Sequence, residues 1–326
     1  MKKFLVVEDS PIVVKIIKHI AKLDPLLHFD IAISFKEAKA LLEDGNTNQY
    51  LAAVVDLNLP DAPNGEVVDY TLSLQIPTIV LTGSYDEDKR TQMLEKPIVD
   101  YVVKESRFSY EYVLRLIHRL HKNQNIKVLV ADDSSTSRKV ITAMLQPHLY
   151  QVIEAEDGQQ ALSIIQKDPD IKLLITDYNM PVMNGFDLVK NIRREVDKNA
   201  LVIIGLSTQG SSELSAKFIK NGANDFLKKP FSHEEFHCRI IHNIEAMEHL
   251  QTIQHAAFHD HLTGLFNRRF FYEKGEDMLA SSRKNNIPAC LALIDIDHFK
   301  KINEMYGHDA GDRTLIELAT LLQQAF

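Results

Sequence analysis

The sequence predicts an α/β protein in which one open, doubly wound parallel sheet is built twice in succession. Three observations predict it. The first is a repeat: residues 3–9 read KFLVVED and 127–133 KVLVADD, 54–60 VVDLNLP and 175–181 ITDYNMP, 100–104 DYVVK and 225–229 DFLKK. The offsets, 124, 121 and 125 residues, are nearly constant, as a duplicated domain requires. The second is alternation. Residues 4–7, 53–55, 78–81 and 101–103 are short apolar runs bounded by polar residues, the pattern of buried parallel strands, and helical periodicity lies between them. The third is that acidic residues fall where those strands end, and open parallel sheets bind ligands beyond their carboxyl ends.

The first helix illustrates the local signals. Ser10 is a candidate N-cap and Pro11 suits the first helical position. Ile12, Val13, Ile16, Ile17, Ile20 and Leu23 then recur at three- and four-residue steps.

Bulk properties narrow the function classes. The 326 residues allow two or three domains, and 45% hydrophobic with 25% charged residues is the mixture of soluble globular domains. A net charge of −8 argues against a nucleic-acid surface. Cys238 and Cys290 are isolated and lack metal-ligand spacing. The opening apolar run stops at Glu8-Asp9, too early for a signal peptide, and no run is long enough to cross a bilayer. A cytoplasmic protein with reduced thiols and no membrane partner is expected.

At the strand ends the first copy collects Glu8, Asp9, Asp56, Thr82 and Lys104, and the second Asp132, Asp133, Asp177, Ser207 and Lys229. Each piece alone has an ordinary explanation, such as a helix cap, a turn former or a surface lysine. The ordered set occurs twice, and both Thr82 to Lys104 and Ser207 to Lys229 span 22 residues. Clustered carboxylates repel one another unless a cation joins them, and oxygen donors favour a hard ion such as Mg²⁺. The central aspartate could then act as a nucleophile toward phosphorus, with the lysine as a point charge and the hydroxyl as a donor.

Both copies resemble response-regulator receiver domains, over residues 1–122 and 125–247. The resemblance implies a five-stranded flavodoxin-like sheet in each and phosphorylation by a histidine kinase or phosphotransfer protein. It marks Asp56 and Asp177 as phosphoacceptors, and Glu8, Asp9, Asp132 and Asp133, with the carbonyls of Asn58 and Asn179, as Mg²⁺ ligands. Thr82 and Ser207 would answer the phosphoryl group, with Tyr101 and Phe226 as coupled switch aromatics; plain core packing explains those two rings equally well. The copies differ. Pro60 and Gly65 lie farther apart than Pro181 and Gly185. Lys104 precedes Glu105, whereas Lys229 precedes Pro230 as in the family, where that bond is often cis. Asp56 to Thr82 spans 26 residues against 30 for Asp177 to Ser207, so the third helix or its loop is shorter in the first copy. Thr208 stands where the family has a small residue, and could crowd the approach to Asp177.

A linker helix is expected over 240–260, within an uninterrupted helical stretch at 231–263. Phe236, Ile240, Ile244, Met247, Leu250 and Ile253 form a seam suited either to packing or to a short dimeric coiled coil. His255, His259 and His261 read as a surface face rather than a metal site.

Residues 260–269 read DHLTGLFNRR and 291–312 LALIDIDHFKKINEMYGHDAGD. Residues 291–296 predict a buried strand ending in Asp295 and Asp297. Together these segments resemble the N-terminal part of GGDEF diguanylate cyclase domains over 256–326, an incomplete α/β cyclase-like segment. The resemblance implies Asp295 and the carbonyl of Ile296 as metal ligands, Lys300 on GTP phosphates, and Asn303 and Asp312 on guanine. Asp260 and Arg268 belong to a structural opening motif. The family's signature hairpin is absent and no Gly-Gly pair occurs, so these residues alone are expected to lack cyclase activity. The expected role is a phosphorylation-controlled regulator, dimeric when phosphorylated, of a cyclase converting GTP to cyclic di-GMP. The alternative is a phosphorylation-independent adaptor acting by dimerisation.

Overall fold

A computed structural model describes residues 3–22, 28–43, 47–208 and 212–325. It divides into two compact units, Met1–Ile244 and Glu245–Phe326. The first unit contains two βα modules in tandem. The first module runs β1 (Lys3–Val7), α1 (Pro11–Ala21), β2 (Phe29–Ala32), α2 (Phe35–Glu43), β3 (Tyr50–Asp56), α3 (Glu66–Ser73), β4 (Thr78–Thr82), α4 (Glu87–Leu94), β5 (Asp100–Val103) and α5 (Arg107–Asn123). The second runs β6 (Lys127–Ala131), α6 (Ser135–Leu145), β7 (Gln151–Ala155), α7 (Gly158–Lys167), β8 (Ile171–Asp177), α8 (Gly185–Ile192), β9 (Val202–Ser207), α9 (Ser212–Lys220) and β10 (Asp225–Lys228), then enters α10 (His233–Phe258).

Each module has one five-stranded parallel sheet, ordered β2-β1-β3-β4-β5 in the first and β7-β6-β8-β9-β10 in the second. Alternation along β1 and β3 sorts side chains to opposite faces. Leu5, Val7, Ala53 and Val55 pack with α2, α3 and Met93 on one face. Phe4, Val6, Ala52 and Val54 pack with Val13 and Ile17 of α1 and with α5 on the other. With helices on both faces, β3 is buried along its whole length, which explains its unbroken apolar run. On α1, Val13 and Ile17 are buried while Ile12 faces solvent; Leu23 of the predicted stripe lies outside the described residues. Ser10 holds the N-cap position, but its side chain makes no cap bond. Its amide instead donates to Glu8 Oε1 at 3.1 Å.

The short link between the modules is held by packing. Asn123 at the end of α5 donates to the carbonyl of His148 at 2.9 Å and accepts from Arg119 Nε at 2.8 Å. Arg90 of α4 forms an ion pair with Glu234 at the start of α10. The length difference between the copies lies in a loop. Helices α3 and α8 both have eight residues, and the extra residues of the second module follow α8. The Lys229-Pro230 bond is cis.

The predicted helix at 231–263 is shorter, ending at Phe258. Beyond it Asp260 Oδ1 accepts from the amides of Leu262 and Thr263 at 3.3 and 2.9 Å and from Thr263 Oγ1 at 2.8 Å. A side chain that satisfies nearby amides stabilises a turn in competition with the helix. Asn267 then caps α11 (Arg268–Lys284) by accepting from the Phe270 amide. The helices α12 (Phe299–Tyr306) and α13 (His308–Ala325) complete the second unit.

The strand predicted at 291–296 does not form. These residues are irregular, with Leu291 77% and Leu293 fully exposed. A strand needs a neighbour for its N–H and C=O groups, and the described residues of the second unit include no strand. The apolar pattern is present, but no strand among the described residues of this unit pairs with it.

Candidate functional site

Parallel pairing brings the chemistry of the first module to one edge. Val7 pairs with Val55, Asp56 with Leu81 and Thr82 with Val103, so β1, β3, β4 and β5 all end at one level. Glu8 is fully buried and Asp56 is 6% exposed, while Asp9 reaches solvent. Carboxylate oxygens of these three residues lie within 4.8 Å of one another. Lys104, following β5, lies 2.6 Å from Asp56 Oδ2 and 2.7 Å from Glu8 Oε2. The amide of Asn58 donates to Asp56 Oδ1 at 3.1 Å. Thr82 Oγ1 donates to the carbonyl of Ser84 at 3.1 Å. Tyr101 is turned into the core, with its hydroxyl buried beside Thr82.

The second module repeats the arrangement with changes. Lys229 Nζ lies 2.6 Å from both Asp132 Oδ2 and Asp177 Oδ1, and 3.1 Å from Ser137 Oγ. Asp132 and Asp177 are buried and Asp133 is exposed. The Asn179 amide donates to Asp177 Oδ2 at 2.8 Å. Ser207 ends β9, buried, and Thr208 beside it is exposed. Phe226 is half-buried and packs against Phe218, ring centroids 5.5 Å apart. Gly185 is a contact point: a Cβ there would lie 2.2 Å from the Asp177 carbonyl oxygen. In the first module the corresponding turn is one residue longer and places Gly65 at φ +79°, a region glycine adopts at little cost.

Electrostatics follows from burial against pairing. Burial pushes the Glu8 carboxyl upward, and Lys104 only partly offsets this. Asp177 is raised by burial in the same way, against the pull of Lys229. Burial disfavours the charge on Lys104 and Lys229, yet their carboxylate pairs outweigh it and raise both. Each pocket therefore holds more carboxylates than the single lysine can neutralise. That donor set fits a hard divalent cation, most directly in the first module, where Glu8, Asp9 and Asp56 converge.

Two contributors were missed from sequence. Ser137 Oγ donates to Asp132 Oδ2 at 2.6 Å. Arg138 donates to the carbonyls of Asp132 and Asp133 at 2.8 and 3.4 Å and pairs with Glu154 and Glu156. Their signal was available: the first turn of a helix that follows an acidic strand end faces the pocket. The repeat hid it, because Val13 and Val14 occupy the same places in the first copy.

In the second unit the predicted residues are not assembled into one pocket. Asp295 and Lys300 are exposed, the latter 3.6 Å from Glu304. The Ile296 carbonyl accepts from the Phe299 amide at 3.2 Å. Asn303 lies against Gly311 of α13 with its Oδ1 buried and unpartnered, and Asp312 is exposed on the same helix. His255 and His259 stack at 4.0 Å on an exposed face, and His261 is also exposed. Along the α10 seam Phe236, Ile240, Ile244 and Met247 are buried, while Leu250 and Ile253 are 45% and 63% exposed. Cys238 and Cys290 are exposed free thiols. No helix among the described residues is long and apolar enough to cross a membrane.

Comparison with known proteins agrees with this geometry. Residues 128–241 match the response regulator receiver domain, and residues 257–326 match the diguanylate cyclase GGDEF domain. The chemotaxis protein CheY homolog of Campylobacter jejuni is 42% identical over 108 residues, 33% of this chain and 83% of that protein. The chemotaxis protein CheY1 of Helicobacter pylori is 42% identical over the same length, 87% of its chain. A crystal structure of a two-component system response regulator/GGDEF domain protein aligns over its full length with 76% of this chain, at 42% identity and a TM-score of 0.70. A lysine-bridged pair of buried aspartates at the carboxyl edge of a five-stranded parallel sheet, together with these matches, places the chain in the response-regulator family, with a receiver domain followed by a GGDEF segment.

Proposed function

We propose that both modules, 1–122 and 125–247, are phosphoacceptor receivers, and that they control a diguanylate cyclase output to which the segment 256–326 belongs. The observation that carries this reading is the lysine bridge: Lys104 joins Glu8 and Asp56 as Lys229 joins Asp132 and Asp177. Identical strand order in the two sheets supports it, as does a solved relative whose full length aligns with 76% of this chain, more than one module occupies.

In this reading a carboxylate oxygen of Asp56 or Asp177 attacks the phosphorus of a phosphohistidine. The P–N bond breaks and its electron pair leaves on the imidazole. Glu8 and Asp9, or Asp132 and Asp133, with the carbonyls of Asn58 and Asn179, would hold Mg²⁺, which would neutralise charge on the transferring group. Lys104 and Lys229 stabilise the acyl phosphate as point charges. Thr82 and Ser207 then turn toward the phosphoryl oxygens, and Tyr101 and Phe226 repack. The donor is a sensor histidine kinase or phosphotransfer protein, and GTP is the substrate of a complete GGDEF domain, converted to cyclic di-GMP.

Acetyl phosphate with Mg²⁺ tests the assignment by intact mass. The wild type is expected to gain up to two phosphoryl groups, Asp56→Asn and Asp177→Asn each one at most, and the double variant none. A double variant labelled like the wild type would leave the phosphorylation-independent adaptor as the better description.

A further inference from the structure

Outside the two acidic pockets, three histidines meet where the modules touch. His148 lies between α6 and β7; His233 and His237 are one turn apart at the start of α10. Each offers a ring nitrogen within 4.8 Å of the others. His148 and His237 are 1% and 5% exposed, and their rings stack at 3.7 Å. Nε2 of His148, Nδ1 of His233 and one nitrogen of His237 are buried without a hydrogen-bond partner, the other His237 nitrogen meeting the backbone of Met144. Leaving a buried polar atom unpaired is costly, so three such atoms in one cluster point to an absent ligand.

We propose that His148, His233 and His237 form a site for a divalent transition metal ion of the Zn²⁺ class. Imidazole suits such ions, whereas Mg²⁺ and Ca²⁺ favour oxygen donors. Histidines at i and i+4 share one helix face, and a third from another element completes a three-nitrogen set that leaves one position open. Burial holds these rings neutral, the form that coordinates: His148 is pushed down to about 3 and His237 also falls well below the ordinary value. The His148 ring also takes a backbone hydrogen bond with Val99, the kind of support that orients a ligating imidazole. Tetrahedral Zn²⁺ with bonds near 2.0 Å separates its ligand nitrogens by about 3.3 Å, so the rings must close in and the His148–His237 stack must open. His233 is only half-buried and can move to do this.

An ion also has a way in. A cavity of about 490 Å³ is lined by His233 and His237 on one side and by Arg90, Asp100, Tyr101 and Tyr112 of the first module on the other. An ion bound there would fasten the start of α10 to the segment that carries His148, whose ring already meets the backbone of Val99 in the first module.

The test uses the full chain, stripped of metal, with Mg²⁺ in excess to occupy the acidic pockets. Titration with Zn²⁺ alone, and with Co²⁺ as an absorbing probe, should give one tight ion per chain and the visible band of four-coordinate Co²⁺. His237→Gln and His148→Gln should abolish both. His233→Gln, at a half-exposed position that threatens folding least, should weaken binding at least about tenfold. His255→Gln, which alters the exposed stacked pair, should change nothing. A wild type that takes up no tight ion overturns the proposal. So does an ion bound with unchanged affinity by His233→Gln, one lost in His255→Gln, or one lost in the Asp56→Asn, Asp177→Asn double variant.

Discussion

Lys229→Met is the sharpest probe of the receiver pocket. The lysine stands 2.6 Å from one oxygen of Asp132 and one of Asp177. Removing it leaves two buried carboxylates facing each other without a cation. Breaking a buried ion pair costs about 3–5 kcal/mol. The Lys229 side chain is 18% exposed, so the lower end, about 3 kcal/mol, is expected from screening. For a module of this size that lowers the melting temperature by about 10 °C in metal-free buffer. Mg²⁺ should restore much of the loss, because the pocket without its lysine binds the cation more tightly than the lysine-bridged one, and saturation at 100-fold the dissociation constant adds about 2.7 kcal/mol. Wild type and variant should therefore converge as Mg²⁺ rises. The loss should also shrink on acidification. Burial already raises Asp177, and without Lys229 it rises further, so protonation relieves the repulsion at mildly acid pH. The assay is thermal unfolding with and without Mg²⁺, followed by hydrogen exchange of β8 and β9 amides to assign the transition. Lys228→Met, one residue away and exposed, is the control and should stay within about 0.5 kcal/mol of wild type. A metal-free loss below about 1 kcal/mol, or one that Mg²⁺ leaves unchanged, would refute the argument that Lys229 neutralises this pocket.

Other consequences follow from the same geometry. Gly185→Ala should destabilise the second module by about 1–3 kcal/mol and slow phosphoryl uptake, because its Cβ meets the Asp177 carbonyl at 2.2 Å; unfolding and acetyl phosphate kinetics check both. Glu8 is raised by burial, so its contribution favours the folded state at acid pH and is lost as pH rises through its folded-state value. Glu8→Gln should flatten the metal-free stability profile above the ordinary glutamate range and reduce the stabilisation by Mg²⁺; an unaltered profile would contradict the assignment. Leu250 and Ile253 are exposed on α10, and beryllofluoride is expected to promote a dimer through this seam. In sedimentation, Leu250→Glu with Ile253→Glu should raise the dimer dissociation constant of the activated state about 5- to 150-fold, whereas equal constants would exclude the seam.

Much of the first unit was legible because its signals are local and occur twice. β1, β3 and β5 announce themselves as apolar runs that end in charge and β4 as one that ends in a hydroxyl, and the repeated 22-residue step ties the hydroxyl of β4 or β9 to its lysine. Residues 291–296 carry an equally good strand signal and stay irregular. Apolar periodicity states what a segment can bury, whereas strand formation depends on a neighbour elsewhere in the chain. The same limit explains α10: its helical period continues beyond Phe258, but the Asp260 turn ends the helix.

The sequence by itself determined the duplicated α/β architecture, the position of each acidic residue at a strand end and the lysine that closes each set, because parallel strands all present their carboxyl ends to one edge. Only the tertiary structure decided how those charges are shared. It buried Glu8 and left Asp9 in solvent, and it added Ser137 and Arg138 to the second pocket alone. It also gathered His148 with His233 and His237, which lie 85 and 89 residues farther along the chain. A spacing of four on one helix is visible in a sequence. The third histidine arrives only when the end of α5 and the start of α10 pack around the segment that carries it, and chain separation says nothing about that approach.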